Sequence, residues 1–123
     1  MKENMAMKNS QFRNLLSQIF KEYNAYFGDN TGSFGDNDYK VNYQIINNSL
    51  LCGQRTYIFD IDIWCKSSTR VDEIADEIEI LLNYKSKKLE SYATFYLENR
   101  YNADEKEIYR RTLTYEVRTY QEE

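Results

Sequence analysis

One domain is the natural reading of 123 residues, and Leu, Ile, Val and Phe, 28 residues together, supply enough apolar side chain for it to fold. There is no His, which excludes Ser-His-Asp and Cys-His nucleophile pairs, HExxH zinc sites and histidine proton shuttles, and no Pro, which excludes polyproline recognition segments. The net charge of −4 divides into +2 over residues 1–27, −6 over 28–83 and zero over 84–123, a balance that argues against gripping DNA or an anionic membrane by general attraction.

Residues 1–8 are polar, with no apolar run of a signal peptide or membrane anchor, and are expected to be frayed or ordered by a partner. Phe12, Leu15, Leu16, Ile19, Phe20 and Tyr23 then fall on one face of a helix predicted over residues 12–27, with Asn9 or Ser10 as its cap and Gly28 as its end. Residues 28–38, GDNTGSFGDND, read as a loop. It matches neither the ligand spacing of an EF-hand nor a GxxxxGK phosphate cradle.

Tyr39, Val41, Tyr43 and Ile45 alternate with polar residues as a strand with one covered face, and residues 47–55 are expected to turn the chain around. The strongest strand pattern is TYIFDIDIWC over residues 56–65. Tyr57, Phe59, Ile61 and Ile63 form a core face, and Ile58, Asp60, Asp62 and Trp64 form a second face suited to water or another chain. Asp60 and Asp62 lie about 7 Å apart by the strand rise, close enough to share a cation or a proton. No third ligand follows in a recognisable motif, so a solvated or interface face is preferred over catalysis. Trp64 is an anchor for either a subunit contact or local packing.

A second helix is predicted to start near Thr69, with Val71, Ile74, Ala75, Ile78, Leu81 and Leu82 as its apolar stripe and Asp72, Glu73, Asp76, Glu77 and Glu79 opposite. Two strands close the chain. Residues 92–101 place Ala93, Phe95 and Leu97 on one face, and residues 107–120 do the same with Tyr109, Leu113, Tyr115 and Val117, joined as an antiparallel hairpin. Lys85, Lys87, Lys88, Arg110 and Arg111 read as surface charge, or alternatively as intersubunit partners for the acids of the second helix. Cys52 and Cys65 fit no disulfide framework or zinc motif and are expected to be reduced structural thiols.

The sum is an α+β domain over residues 1–123 in the order α-β-β-α-β-β, with two helices packed on one face of a mainly antiparallel sheet of about four strands. The opposite face has no obvious cover. If it carries Ile58, Trp64 and several of the 12 Tyr, it is apolar enough to favour oligomerisation.

The run YIFDIDIWCKSSTRVDEIADEIEILLN and the closing IYRRTLTYEVRTY resemble tailed-phage tail terminator proteins, also called tail completion or minor tail proteins. The first helix, LLSQIFKEYNAYFG, is compatible with that family, and the likeness spans about residues 12–120. The resemblance implies a non-enzymatic virion structural protein, of a phage or prophage particle, whose copies form a hexameric ring on the tail tube. Such a ring ends tube polymerisation and takes part in head-tail joining through a neck or head-completion protein. It implies no cofactor, no metal and no membrane, with DNA passing through without specific binding. Assembly would take place in the host cytoplasm, and the product would reside in the mature virion or a phage-tail-like particle.

Within this reading the candidate subunit interface is Ile58, Asp60, Asp62, Trp64 and Tyr96. Asp29, Phe34, Asp36 and Asp38 form the candidate loop lining the pore or touching the tube. Six copies at −4 each would carry about −24, which discourages phosphates from adhering to the channel. The alternative is a small non-enzymatic adaptor or neck/head-closure protein that binds one protein partner through its open sheet face. A carboxylate metalloenzyme ranks last.

Overall fold

The computed structural model describes residues 8–23, 25–27, 38–51, 54–82 and 93–119. Its elements are α1 (Asn9–Ile19), a 3-10 turn (Lys21–Tyr23), β1 (Tyr26–Phe27), β2 (Tyr39–Leu51), β3 (Gln54–Cys65), α2 (Ser68–Leu82), β4 (Ala93–Asn102) and β5 (Tyr109–Thr119). The α+β class is as expected, with two helices and an antiparallel sheet of β2, β3, β5 and β4. The strand order is β1-β2-β3-β5-β4, and the two-residue β1 adds a parallel pairing at one edge. That fifth strand is the departure from the simple α-β-β-α-β-β order. The expected fraying of residues 1–8 falls, apart from Lys8, outside the described residues.

The odd-numbered face of β3 is the floor of the core. Tyr57, Phe59, Ile61, Ile63 and Cys65 are fully buried there, flanked by Val41 and Tyr43 of β2 and by Leu113, Tyr115 and Val117 of β5. Both helices cover this face. The α1 stripe buries Phe12, Leu16 and Phe20, with Leu15, Ile19 and Tyr23 packed at its margin. Phe12 stacks on Tyr57 at 3.9 Å between ring centroids, and Phe20 meets Tyr43 at 5.0 Å. The Tyr57 hydroxyl donates to Asn9 Oδ1 at 2.8 Å, so Asn9 fastens the helix to the sheet instead of capping it.

The first helix stops at Ile19, well short of the expected end at Gly28. Phe20 N–H still bonds the Leu16 carbonyl at 3.0 Å, and Tyr23 N–H then bonds the Phe20 carbonyl, tightening the chain into the 3-10 turn. Over one turn, 3-10 and α spacing put nearly the same residues on one side, so the apolar stripe runs past the helix. The expected reversal over 47–55 is also much shorter. β2 continues to Leu51 and β3 begins at Gln54, making a long hairpin.

The second helix keeps its stripe, with Val71, Ile74, Ala75, Ile78 and Leu82 buried and Leu81 exposed. Its cap is Ser67, two residues before Thr69: Ser67 Oγ accepts from Arg70 N–H at 3.2 Å. Cys65 is a buried free thiol, and Cys52 lies outside the described residues. Among the described residues no helix is long and apolar enough to cross a membrane.

Two bulges adjust the sheet. In β2 the register slips between Ile45 and Asn47, leaving Ile46 as the extra residue. In β4 it slips between Leu97 and Asn99, leaving Glu98. Because side chains alternate along a strand, one extra residue moves everything beyond it to the other face. Arg100 therefore pairs with Leu113 on the helix side, whereas unbroken alternation from Ala93 would send it the other way.

Candidate functional site

The sheet face away from the helices is built from even-numbered residues of β3 and β5 and of β2 as far as Gln44, with Asn47 and Ser49 taking over beyond the bulge, and cross-strand pairing arranges them in rows. Lys40, Trp64 and Arg110 form one row, Asn42, Asp62 and Thr112 the next, and Gln44, Asp60 and Thr114 the third. A fourth holds Ile58, Glu116 and Tyr96. Ile58, Asp60, Asp62 and Trp64 thus run in file along the central strand. Tyr96 lies in the row of Ile58, two strands over, about 10 Å away by the strand spacing. The proposed interface residues share one face, and no described helix or strand packs on it.

The face is less apolar than its aromatic content suggests. Trp64 lies between two cations, with Lys40 Nζ at 4.8 Å and Arg110 Cζ at 4.9 Å from its ring centroid. Arg110 forks onto Asp62 Oδ1, from Nε at 3.1 Å and from Nη2 at 2.8 Å, and Thr112 Oγ1 donates to the same oxygen at 2.6 Å. Asp62 is only 9% exposed, and Lys40, Asn42 and Thr112 are buried with it. Asp60 Oδ1 accepts from Thr114 Oγ1 at 2.7 Å. Arg118 sits 5.0 Å from the Tyr96 ring and also bonds Glu116.

This arrangement separates the two aspartates in role. Asp62 is a structural acceptor, engaged by three donors within the chain, and its charge reversal would strike the fold before any partner. Asp60 and Trp64 are half-buried and present their outer sides away from the core. The cation-sharing geometry imagined for the pair is replaced by threonine and arginine contacts. Among the described residues no group of three His, Cys, Asp or Glu side chains converges as a metal site would require.

The candidate pore loop is represented by Asp38 alone, exposed at the entry to β2; Asp29, Phe34 and Asp36 lie outside the described residues, as do Lys85, Lys87 and Lys88. A shallow depression of about 290 Å³ between α1 and β2 is lined by Ser10, Arg13, Asn14, Ser17 and Tyr43.

Arg110 and Arg111, read as surface charge, have definite partners within the chain, and so has Arg100. Arg111, 7% exposed, bonds Asp72 Oδ1 at 2.8 Å and Asp104 Oδ1 at 2.6 Å. Arg100 reaches Asp72 at 3.2 Å and Asp76 at 2.7 Å, and also pairs with Glu79. Asp72, Asp76 and Glu79 of α2 are therefore held by β4 and β5 of the same chain, while Glu73 and Glu77 pair with Arg70 of the helix itself. The Arg111 hydrogen bond is the main cause holding the Asp72 carboxyl below the usual carboxylate range. A sequence signal for Arg111 existed, since the strand period puts it on the side of Tyr109 and Leu113, facing the helix.

No protein-family model matches this chain, and no match is found among curated proteins.

Proposed function

We propose that this chain is a structural subunit of a tailed-phage tail or phage-tail-like particle, a terminator whose copies close as a hexameric ring on the tail tube, end its growth and meet the neck. The reading rests on the sequence resemblance and on one feature of the fold. The sheet face opposite both helices carries Ile58, Trp64 and Tyr96 among paired cations and carboxylates, with no described element over it. An aromatic set among satisfied charges offers contact area without a reacting group, which suits an assembly surface.

Electron microscopy and native mass measurement of the purified protein, alone and with tail tubes, test this. Six-fold rings at tube ends are the expected result. Trp64→Glu is expected to keep the fold and lose tube capping. A chain that stays single beside tubes and binds one soluble protein instead would overturn the ring in favour of an adaptor.

A further inference from the structure

Apart from Ile80 and Leu81 on α2, the exposed large apolar side chains among the described residues lie on the two outer long strands of the sheet. Among the described residues the exposed large hydrophobics are Ile46, Leu50, Ile80, Leu81, Leu97 and Tyr101. Four of these six belong to the two outer long strands. Ile46 and Leu50, 53% and 54% exposed, are on β2; Leu97 and Tyr101, 41% and 46% exposed, are on β4.

Among the described residues the β2 rim is unguarded beyond Tyr43. β1 pairs only with Asn42 and Tyr43, and no described strand pairs with the outer side of β2 from Gln44 onward. The 14 residues from Val41 to Gln54 contain no charge, although 36 of the 123 residues are charged, so an even spread would place about four there. Solitary edge strands are normally protected by Lys, Pro or inward charge. Here the β2 strand of the hairpin presents an arm with no charge of its own, exposed from Ile46 to Leu50, with the bulge on its rim and Arg55 of β3 bonded to Asn48 behind it.

We infer that copies of this chain join head to tail, with the neutral β2 arm of one copy laid beside β4 of the next. Three observations select a second copy as the occupant. Each rim carries two exposed apolar side chains that an edge contact would draw out of water, Leu97 on the helix side of β4 and Tyr101 on its other side. β2 is antiparallel to β3, β3 to β5 and β5 to β4, so β2 and β4 run in opposite directions. Setting one copy's β4 against another's β2 therefore extends the same antiparallel alternation with both sheets facing alike. Finally, a two-fold β2-to-β2 contact would leave Leu97 and Tyr101 bare, whereas the head-to-tail contact covers both pairs with one repeated interface and can close into a ring. The inference rests on the ring reading above and names its interface.

The test uses the full chain with Cys52→Ser, since Cys65 is buried. Ser49→Cys and Asn99→Cys, both on the face away from the helices, are made separately, mixed and oxidised, and Ile46→Lys with Leu50→Lys is made in parallel. Head-to-tail pairing predicts a disulfide-linked product in the mixture that neither variant forms alone. It also predicts a loss of at least about tenfold in assembled protein for the double lysine variant, with unchanged circular dichroism and melting temperature. Cross-linking of Ser49→Cys to itself alone would establish the two-fold contact and overturn the inference. Rings that persist in the lysine variant would overturn the edge interface and leave the ring reading standing. A wild-type chain that remains single, alone and with tubes, would overturn both.

Discussion

Arg111 on β5 donates from Nε to Asp72 Oδ1 on α2 at 2.8 Å, and the same guanidinium bonds Asp104 beyond the end of β4. One buried cation thus joins the second helix, the last strand and the hairpin turn. Asp72 is half-exposed, so solvent screens part of the attraction. Arg111→Ala is expected to cost about 2 kcal/mol and Asp72→Asn about 1 kcal/mol. A double-mutant cycle by urea unfolding should return a coupling of about 0.5–1.5 kcal/mol; strict additivity would mean that the contact contributes nothing.

The same pair sets the acid behaviour. The depressed carboxyl of Asp72 binds its proton less readily in the folded chain than in the unfolded one. Its contribution is therefore present above the ordinary carboxylate pKa of about 4 and is lost as pH falls through the lower folded value. Melting temperatures taken downward from about pH 5 should fall more steeply for the wild type than for Asp72→Asn.

Asp62 and Asp60 should respond differently to truncation despite sharing a strand and a face. Asp62→Ala leaves Arg110 and Thr112 without their shared acceptor and is expected to cost about 2–3 kcal/mol, whereas Asp60→Ala removes one threonine contact and should cost about 1 kcal/mol or less. Chemical denaturation of the two variants distinguishes them, and equal losses would contradict the buried-acceptor role.

At alkaline pH, Tyr23 is the group to follow. Burial, reinforced by Glu77, pushes its hydroxyl up to about 12, and that hydroxyl donates to Glu77 Oε1 at 3.4 Å. Its contribution is intact below the ordinary tyrosine value of about 10 and disappears as pH rises through the folded value. Tyrosinate absorbance should show a late-ionising group that Tyr23→Phe removes, together with a shallower alkaline loss of stability.

The β4–β5 turn holds one strained residue. Glu107 has φ of 68°, in the left-handed region, between the paired Glu105 and Ile108. Glu107→Gly is expected to relieve a cost of about 1 kcal/mol and raise the melting temperature. A lower melting temperature would show that the Glu107 side chain contributes more than its backbone costs.

The core was legible because period and burial coincide: Phe12, Leu16 and Phe20 on the first helix, and Tyr57, Phe59, Ile61 and Ile63 on the central strand, are buried where their spacing puts them. The five proposed interface residues share one face for the same reason. What spacing could not carry was the pairing of that face. Asp62 looks free in the sequence, and only the neighbouring strand supplies Arg110 and Thr112. Arg100 was hidden by the bulge, which breaks the alternation on which the reading depends. The end of the first helix was hidden because its stripe continues through the 3-10 turn.

The two bulges also make the strands unequal in their tolerance of length change. Removing Glu98 would leave Leu97 opposite Tyr115, Asn99 opposite Thr114 and Arg100 opposite Leu113, so the strand would become regular while each remaining side chain kept its side. Removing Tyr96 instead would turn Leu97 outward and push Glu98 toward the core. Ile46 occupies the equivalent place in β2. These are two spare links, where a lost codon should be absorbed, flanked by positions where the same deletion would scramble the sheet.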